Sequence, residues 1–206
     1  GDDRITKRVL DAAPRLKVIS KWGTGIDSID SDEANRRGIP VYRTPNAFSE
    51  PVADTVLGYM LTFARKLPWM DRDIRRGNWK KPPLVSLREC VLGVVGVGDC
   101  GKAVVRRAMA FGMHLLGNDI LEMPESFLSE TRIKMVSLDK LLANADFVSL
   151  NPDLNPTSFH LMGKKQFHMM KSSAYLINAS RGPVVDESAL IEALHNRHIA
   201  GAGLDV

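Results

Sequence analysis

The segment that most constrains the fold of this 206-residue chain is an apolar run that leads into closely spaced glycines. Residues 91–101 read Val-Leu-Gly-Val-Val-Gly-Val-Gly-Asp-Cys-Gly, which places Gly-x-Gly-x-x-Gly directly after a strand-like stretch. A helical stretch covers residues 102–111, and a second apolar run covers residues 113–118. This order predicts a strand, a tight turn, a helix and a parallel second strand, which together are typical of a dinucleotide-binding unit.

Each glycine of this turn has a distinct predicted role. Gly96 allows the tight turn, Gly98 lets the backbone approach a pyrophosphate, and Gly101 lets helix and strand pack closely. The phosphates would lie on N–H groups at the positive end of the helix. The alternative is an α/β turn of the same shape that binds nothing.

Asp119 ends the second apolar run, 18 residues after Gly101. The expected spacing to a ribose-binding carboxylate is about 20 residues. A carboxylate here accepts hydrogen bonds from ribose hydroxyls and repels a 2′-phosphate, and the next residues, Ile120 and Leu121, supply no arginine. We therefore predict NAD rather than NADP. The alternative is a surface aspartate that merely ends a strand.

Composition excludes several other classes of protein. Apolar residues make up 44% of the chain and charged residues 25%, which suits a core-forming domain, and the net charge of +4 is too small and dispersed for a nucleic-acid surface. No apolar run is long enough to predict a membrane span, and the polar start (Gly1 to Arg4) does not resemble a signal peptide. The two cysteines, Cys90 and Cys100, favour a reducing cytoplasm over a disulfide framework.

Strand-like and helical segments alternate along the chain, which predicts a parallel α/β sheet. Ser31 is a plausible N-cap, and Pro68 is expected to end the long helix before a polar stretch, residues 71–79. The predicted helices cover 5–13, 31–37, 54–66, 102–111, 138–143, 164–170 and 187–194, and the predicted strands 16–20, 39–42, 91–95, 113–118, 134–136, 146–150, 174–179 and 199–206.

The helix over residues 54–67 has two apolar stripes, a wider face than one sheet usually covers. One interpretation is a deeply buried core helix. The other, which we favour slightly, is a helix at the interface of a homodimer.

Four motifs resemble the D-isomer-specific 2-hydroxyacid dehydrogenases, of the D-3-phosphoglycerate dehydrogenase type. The motifs are Gly-Thr-Gly-Ile-Asp at 23–27 with Ile-Asp at 29–30, Thr-Pro-Asn at 44–46 with Val-Ala-Asp-Thr at 52–55, the glycine turn at 96–101, and Asn-Ala-Ser-Arg-Gly-Pro-Val-Val-Asp-Glu at 178–187 with Gly-Ala-Gly-Leu-Asp-Val at 201–206.

The resemblance implies a Rossmann-type NAD-binding domain, a doubly wound parallel sheet, over residues 48–206. Residues 1–47 would be part of a flavodoxin-like substrate domain. The family's catalytic glutamate and histidine would come after residue 206, so we expect a fragment that is inactive by itself.

The resemblance also assigns site residues. Arg181 would be catalytic, because a planar guanidinium can hold a substrate carboxylate with two hydrogen bonds; the alternative is a salt bridge at a strand end. Trp22 and Gly23 would meet substrate, in a turn whose N–H groups can form an anion nest. The residues implied to contact the cofactor are Thr24, Gly96, Gly98, Asp99, Cys100, Gly101, Asp119, Pro152, Ala179 and Asp205.

Three of these positions raise particular questions. Asp99 is often basic or neutral in the family, and a carboxylate pointing at a pyrophosphate would lower affinity unless it faces solvent or caps the helix. Pro152 stands where many relatives have a small or hydroxylated residue. Asp205 would approach the nicotinamide, or else be a buried strand aspartate.

The function implied is hydride transfer between nicotinamide and the α-carbon of a small D-2-hydroxy or 2-oxo acid, with the enzyme a cytoplasmic NAD-dependent dehydrogenase. None of the five histidines lies in the family's catalytic motif, and no metal is predicted. An NAD-sensing module of the corepressor type is the alternative, and a non-catalytic relic is a third possibility.

Overall fold

The computed structural model describes residues 3–206 and divides the chain into two compact units. One ends at Ser49, and the other runs from Glu50 to Val206. Among the described residues, no helix is both long and apolar enough to span a membrane.

The smaller unit pairs two short parallel strands with two helices. Its elements are α1 (Lys7–Ala12), β1 (Ile19–Lys21), α2 (Ser31–Arg36) and β2 (Val41–Arg43). Ile19 pairs with Val41, and the core contains Leu10, Ile19, Ile29, Ala34 and Ile39.

The sequence predicted Ser31 as the N-cap of α2, but the N-cap in the structure is Asp30. The Asp30 carboxylate accepts a hydrogen bond from the Glu33 N–H at 3.0 Å. An aspartate and a serine cap helices equally well, so the choice between adjacent capping residues depends on the backbone entering the helix.

The larger unit contains a six-stranded parallel sheet in the order β5-β4-β3-β6-β7-β8. The strands are β3 (Val91–Val95), β4 (His114–Asn118), β5 (Lys134–Met135), β6 (Phe147–Leu150), β7 (Tyr175–Asn178) and β8 (Gly201–Leu204). The helices are α3 (Ser49–Arg65), α4 (Leu67–Arg75), α5 (Asp99–Ala110), α6 (Glu125–Thr131), α7 (Leu138–Asn144), α8 (Lys164–Met169) and α9 (Glu187–His195), with short 3₁₀ turns at Leu87–Glu89 and Gly182–Val184.

The strand order confirms the predicted doubly wound Rossmann-type sheet. The chain moves outward from β3 to β5 on one side and then crosses to β6 on the other, so the switch in direction lies between β3 and β6. All four residues of β6 are buried, as expected of a central strand covered on both faces. In open α/β sheets, ligands bind at such a switch point, beyond the carboxyl ends of the strands.

Two helices differ from the sequence prediction. Helix α3 ends at Arg65, just before Pro68 as predicted. After Lys66, which adopts a left-handed conformation (φ 51°), a helix that was not predicted begins, α4, with Pro68 in its first turn. Proline suits a first turn because its missing N–H has no intrahelical acceptor there. Helix α6 was not predicted, because only Phe127 and Leu128 mark its inner face.

Helix α3 packs most of its apolar side chains into the larger unit's own core. Ala53, Val56, Leu57, Met60 and Ala64 are all buried there. Packing within the chain thus accounts for most of the wide apolar face that had favoured a dimer interface. The dimer prediction itself stays a prediction.

Candidate functional site

The glycine turn between β3 and α5 has the close backbone contacts that the sequence predicted. Gly96 has φ +82°, and a Cβ atom there would lie 2.7 Å from the backbone nitrogen of Pro152. A Cβ on Gly101 would lie 2.1 Å from the Gly96 carbonyl oxygen. Both positions therefore require glycine. Gly96 has a left-handed backbone conformation and lies against the backbone of Pro152, and Gly101 allows the helix to pack on the turn.

Gly98 differs from its neighbours because it borders open space. No heavy atom lies within 4 Å of a Cβ built at this position, and its φ of −71° is one that any residue adopts. The fold itself therefore does not need a glycine here. Glycine is needed here only if a ligand approaches the backbone closely, which is the role predicted for the second glycine.

Helix α5 begins at Asp99, and its first turn faces the same region. Gly98 is its N-cap and has no side chain with which to satisfy the first N–H groups. Asp99 is exposed in the first turn, where a carboxylate interacts favourably with the helix dipole, and Cys100 is half-buried. Asp99 thus lies where a capping carboxylate and a bound phosphate would compete for the same positive helix end.

Asp119 is directed toward the glycine turn. Its Oδ2 accepts a hydrogen bond from the Val97 N–H at 2.5 Å, and its Oδ1 accepts one from the Leu121 N–H at 2.9 Å. Each carboxylate oxygen can accept a further bond, so the half-buried group keeps acceptor capacity for a diol. This contact argues against a surface aspartate that only ends a strand.

The opposite wall of the crevice comes from the segment after β6. The Asn151 N–H donates to the Val95 carbonyl at 2.8 Å, and Pro152 follows directly against Gly96. The carboxyl ends of β3, β4 and β6 thus bring together Gly96, Gly98, Gly101, Asp119 and Pro152.

Ala179 and Asp205 follow the ends of β7 and β8 at this same edge of the sheet. Ala179 is partly buried against the core, and the Asp205 N–H donates to the Asn178 carbonyl at 3.0 Å. Asp205 directly follows β8, and its predicted role beside the nicotinamide stays a prediction.

Arg181 lies in a turn that Asn178 organises. The Asn178 side-chain amide donates to the Arg181 carbonyl at 2.9 Å, and its Oδ1 accepts from the Ser180 N–H at 3.1 Å and the Ser180 hydroxyl at 2.9 Å. The Arg181 guanidinium donates to the Ser180 carbonyl at 2.7 Å. No role was predicted for Asn178, although a polar residue at the end of an apolar strand is a signal of such a turn.

In the smaller unit, the loop after β1 is fixed by the segment after β2. The Gly23 N–H donates to the Thr44 hydroxyl at 3.0 Å, and the Thr44 N–H donates to the Gly23 carbonyl at 3.1 Å. The Gly23 N–H is therefore engaged, which reduces its contribution to the predicted anion nest. Trp22 is 75% exposed and contacts Phe48 edge-on, with ring centroids 5.5 Å apart.

Thr24 belongs to the same loop. Its hydroxyl donates to the Thr44 carbonyl at 3.4 Å, and the Arg43 guanidinium donates to the Thr24 carbonyl at 3.1 Å. The roles predicted for Trp22, Gly23 and Thr24 stay predictions. Within residues 3–206, no group of three or more histidine, cysteine or acidic side chains is arranged to hold a metal.

The residues of the crevice fit a dinucleotide. Gly98 leaves space at an uncapped helix start, Gly96 and Gly101 allow a compact turn, and Asp119 presents acceptors beside it. This combination matches a diphosphate and an adjacent ribose in chemistry and in order along the crevice.

Comparisons with known proteins agree with this site. Residues 57–206 match the profile of the D-isomer specific 2-hydroxyacid dehydrogenase, NAD binding domain. A glyoxylate reductase of Korarchaeum cryptofilum is 42% identical over 99% of this chain and 63% of its own length. A D-3-phosphoglycerate dehydrogenase of Methanocaldococcus jannaschii is 37% identical over 98% of this chain and 39% of its own length.

Among solved structures, a D-lactate dehydrogenase of Aquifex aeolicus, complexed with NAD and lactic acid, superposes with a TM-score of 0.93 at 33% identity. The superposition covers 98% of this chain and 61% of that protein. The chain thus spans less than two thirds of the length of these relatives. The family profile and this NAD complex confirm NAD as the predicted cofactor, and the chain belongs to the D-isomer specific 2-hydroxyacid dehydrogenase family.

Proposed function

We propose that the protein containing this chain is an NAD-dependent dehydrogenase of small D-2-hydroxy acids, and that the chain supplies its cofactor site. The observation that carries the proposal is the arrangement of Gly98 and Asp119, an open approach to backbone N–H groups beside an anchored carboxylate. NAD, when bound, supplies the hydride-accepting nicotinamide, while the protein orients it and tunes its surroundings.

Arg181 is proposed to bind the substrate carboxylate. Asn178 holds this turn through hydrogen bonds to the Arg181 carbonyl, the Ser180 N–H and the Ser180 hydroxyl, which fixes the backbone that carries the guanidinium. An arginine can hold a carboxylate bidentately and withdraw charge from the adjacent carbonyl carbon, whereas a lysine acts only as a point charge. We also propose that this chain alone does not turn over substrate, because the acid–base pair of the reaction is expected after residue 206.

The test uses the full-length protein and follows NADH absorbance with D-lactate, L-lactate, D-3-phosphoglycerate and glyoxylate. We expect turnover with at least one D-2-hydroxy acid or with glyoxylate, and none with L-lactate. The loss of one charge-assisted hydrogen bond, about 1.5–3 kcal/mol, should lower kcat/KM of Arg181→Lys by about 10- to 150-fold. The NAD Kd should be unchanged.

Arg88→Lys, at an exposed position of the 3₁₀ turn before β3, is the matched control and should retain full activity. Normal turnover by Arg181→Lys would refute the role of Arg181. Absence of turnover with all four compounds, together with NAD binding, would refute the proposed substrate class while leaving the cofactor site intact.

The homodimer and the cytoplasmic location are also proposals. The predicted contact is the helix over residues 54–67. No residue of α4, which follows it, is buried, and the apolar side chains Leu67, Trp69 and Ile74 are 40–53% exposed, which supports a protein contact that includes this end of the helix. Sedimentation equilibrium should show a dimer that Ile74→Lys weakens, and a monomeric parent chain would refute it. Cys90 and Cys100 are both thiols, which supports a reducing compartment.

A further inference from the structure

A cavity of about 710 Å³ lies in the larger unit at the sheet edge opposite the glycine turn. It is lined by the first residues of β3, β4 and β5 and by residues at the ends of α5, α6 and α7. Because the strands are parallel, this is their amino-terminal edge, whereas Gly96–Gly101 follows the carboxyl end of β3. The cavity therefore belongs to a different part of the fold from the cofactor crevice.

Its charged lining is entirely basic. Arg132, Lys134, Lys140 and Lys171 all line it, and none of its lining residues is acidic. Lys171 is neutralised by Asp146, whose carboxylate accepts from its ammonium at 2.8 Å. Of the other three cations, none forms an ion pair with any carboxylate among residues 3–206.

The negative ends of nearby helices offset only part of this positive charge. The last turn of α5 and the last residues of α6 and α7 line the cavity, represented by Met109, Thr131 and Asn144. Each helix end carries at most about half a negative charge, so three ends supply about −1.5. Three cations without carboxylate partners supply +3, which leaves a clear positive excess at the cavity.

Apolar side chains also line the cavity. Val91, Met113, Leu115, Leu116 and Val136 contribute apolar surface, and Met113 and Leu115 are only 7% exposed. Small-molecule sites also combine apolar walls with a few charged groups that fix orientation, and they have volumes of about 300–1,000 Å³.

We propose that this cavity binds a small organic anion. A phosphate or carboxylate group of the ligand would lie among Arg132, Lys134 and Lys140, and its apolar body would contact Met113 and Leu115. The site is independent of the proposed dehydrogenase function, because it shares no residue with the cofactor crevice or with the turn of Arg181.

The test is an NMR titration of the ¹⁵N-labelled chain, with saturating NAD present, using phenyl phosphate, inorganic phosphate and phenol as probes. We expect phenyl phosphate to shift the amides of residues 112–116 and 131–136 saturably. The two other probes, which each lack one half of the ligand, should bind at least about tenfold more weakly, a loss of about 1.4 kcal/mol each. Affinity should fall as salt is raised.

The decisive variant is Lys134→Glu with Lys140→Glu, both at exposed positions, which should weaken phenyl phosphate binding at least about tenfold. The matched control, Lys80→Glu with Lys165→Glu, makes the same change in net charge at exposed positions of the larger unit that do not line the cavity. Because a charge outside the cavity acts on the ligand only through salt-screened solvent, the control should bind as the parent does. Equal weakening in both variants, shifts confined to residues 96–101, or no saturable shift would each overturn the proposal.

Discussion

The Gly98→Ala variant tests whether glycine at this position is required for folding or for ligand binding. A Cβ at this position meets no atom within 4 Å, and the residue's φ and ψ (−71°, −156°) are accessible to alanine. Alanine is a poorer N-cap than glycine, by up to about 1 kcal/mol, but it also restricts the unfolded chain, which returns about 0.4–1 kcal/mol. We therefore expect a free energy of unfolding close to that of the parent chain.

The same methyl group would occupy the space through which a diphosphate approaches the start of α5. Losing one charge-assisted hydrogen bond to a phosphate oxygen costs about 1.5–3 kcal/mol. The NAD Kd measured by isothermal titration calorimetry should thus rise by about 10- to 150-fold. Urea unfolding of the same sample measures stability independently.

Two further glycines serve as references for this experiment. Gly58→Ala, in the middle of α3 with no atom within 4 Å of the new Cβ, should stabilise the chain by about 0.5–1 kcal/mol and leave NAD binding unchanged. Gly101→Ala places a Cβ 2.1 Å from the Gly96 carbonyl oxygen, so it should reduce both stability, by about 1–3 kcal/mol, and binding. Normal NAD affinity in Gly98→Ala would refute the assignment of the glycine turn as the phosphate site.

Three other predictions follow from individual contacts. Asp99→Asn should tighten NAD binding in calorimetry, because it removes a negative charge next to the phosphate position; unchanged affinity would mean that the carboxylate faces away. Asn178→Ala should lower the free energy of unfolding by about 1–3 kcal/mol, because it leaves buried polar groups at Ser180 without their partner, and urea titration checks this. Burial, and to a smaller extent the neighbouring Asp146 carboxylate, raise the pKa of the Cys90 thiol above its ordinary value of 9.0. In a Cys100→Ser variant, labelling of the remaining thiol should therefore be slow at pH 8 and should accelerate as pH rises. Rapid labelling at pH 8 would contradict the burial of Cys90.

Local sequence patterns were sufficient for most elements of the larger sheet. The apolar runs that became β3, β4, β6 and β7 were predicted within one or two residues, because a strand buried on both faces needs an uninterrupted apolar stretch. Helices α4 and α6 were missed. Both depend on where neighbouring segments place the backbone, since proline begins a helix as readily as it ends one.

The sequence by itself determined the glycine turn, the spacing to Asp119, the parallel α/β architecture and the family, because these follow from local backbone requirements and short-range order. Only the tertiary structure decided that the Asp119 carboxylate bonds to Val97, that Asn178 holds the turn of Arg181, and that three cations line one cavity at the far edge of the sheet. Residues that are distant along the chain come together only when strands align in register, and no local pattern encodes which side chains then face one another.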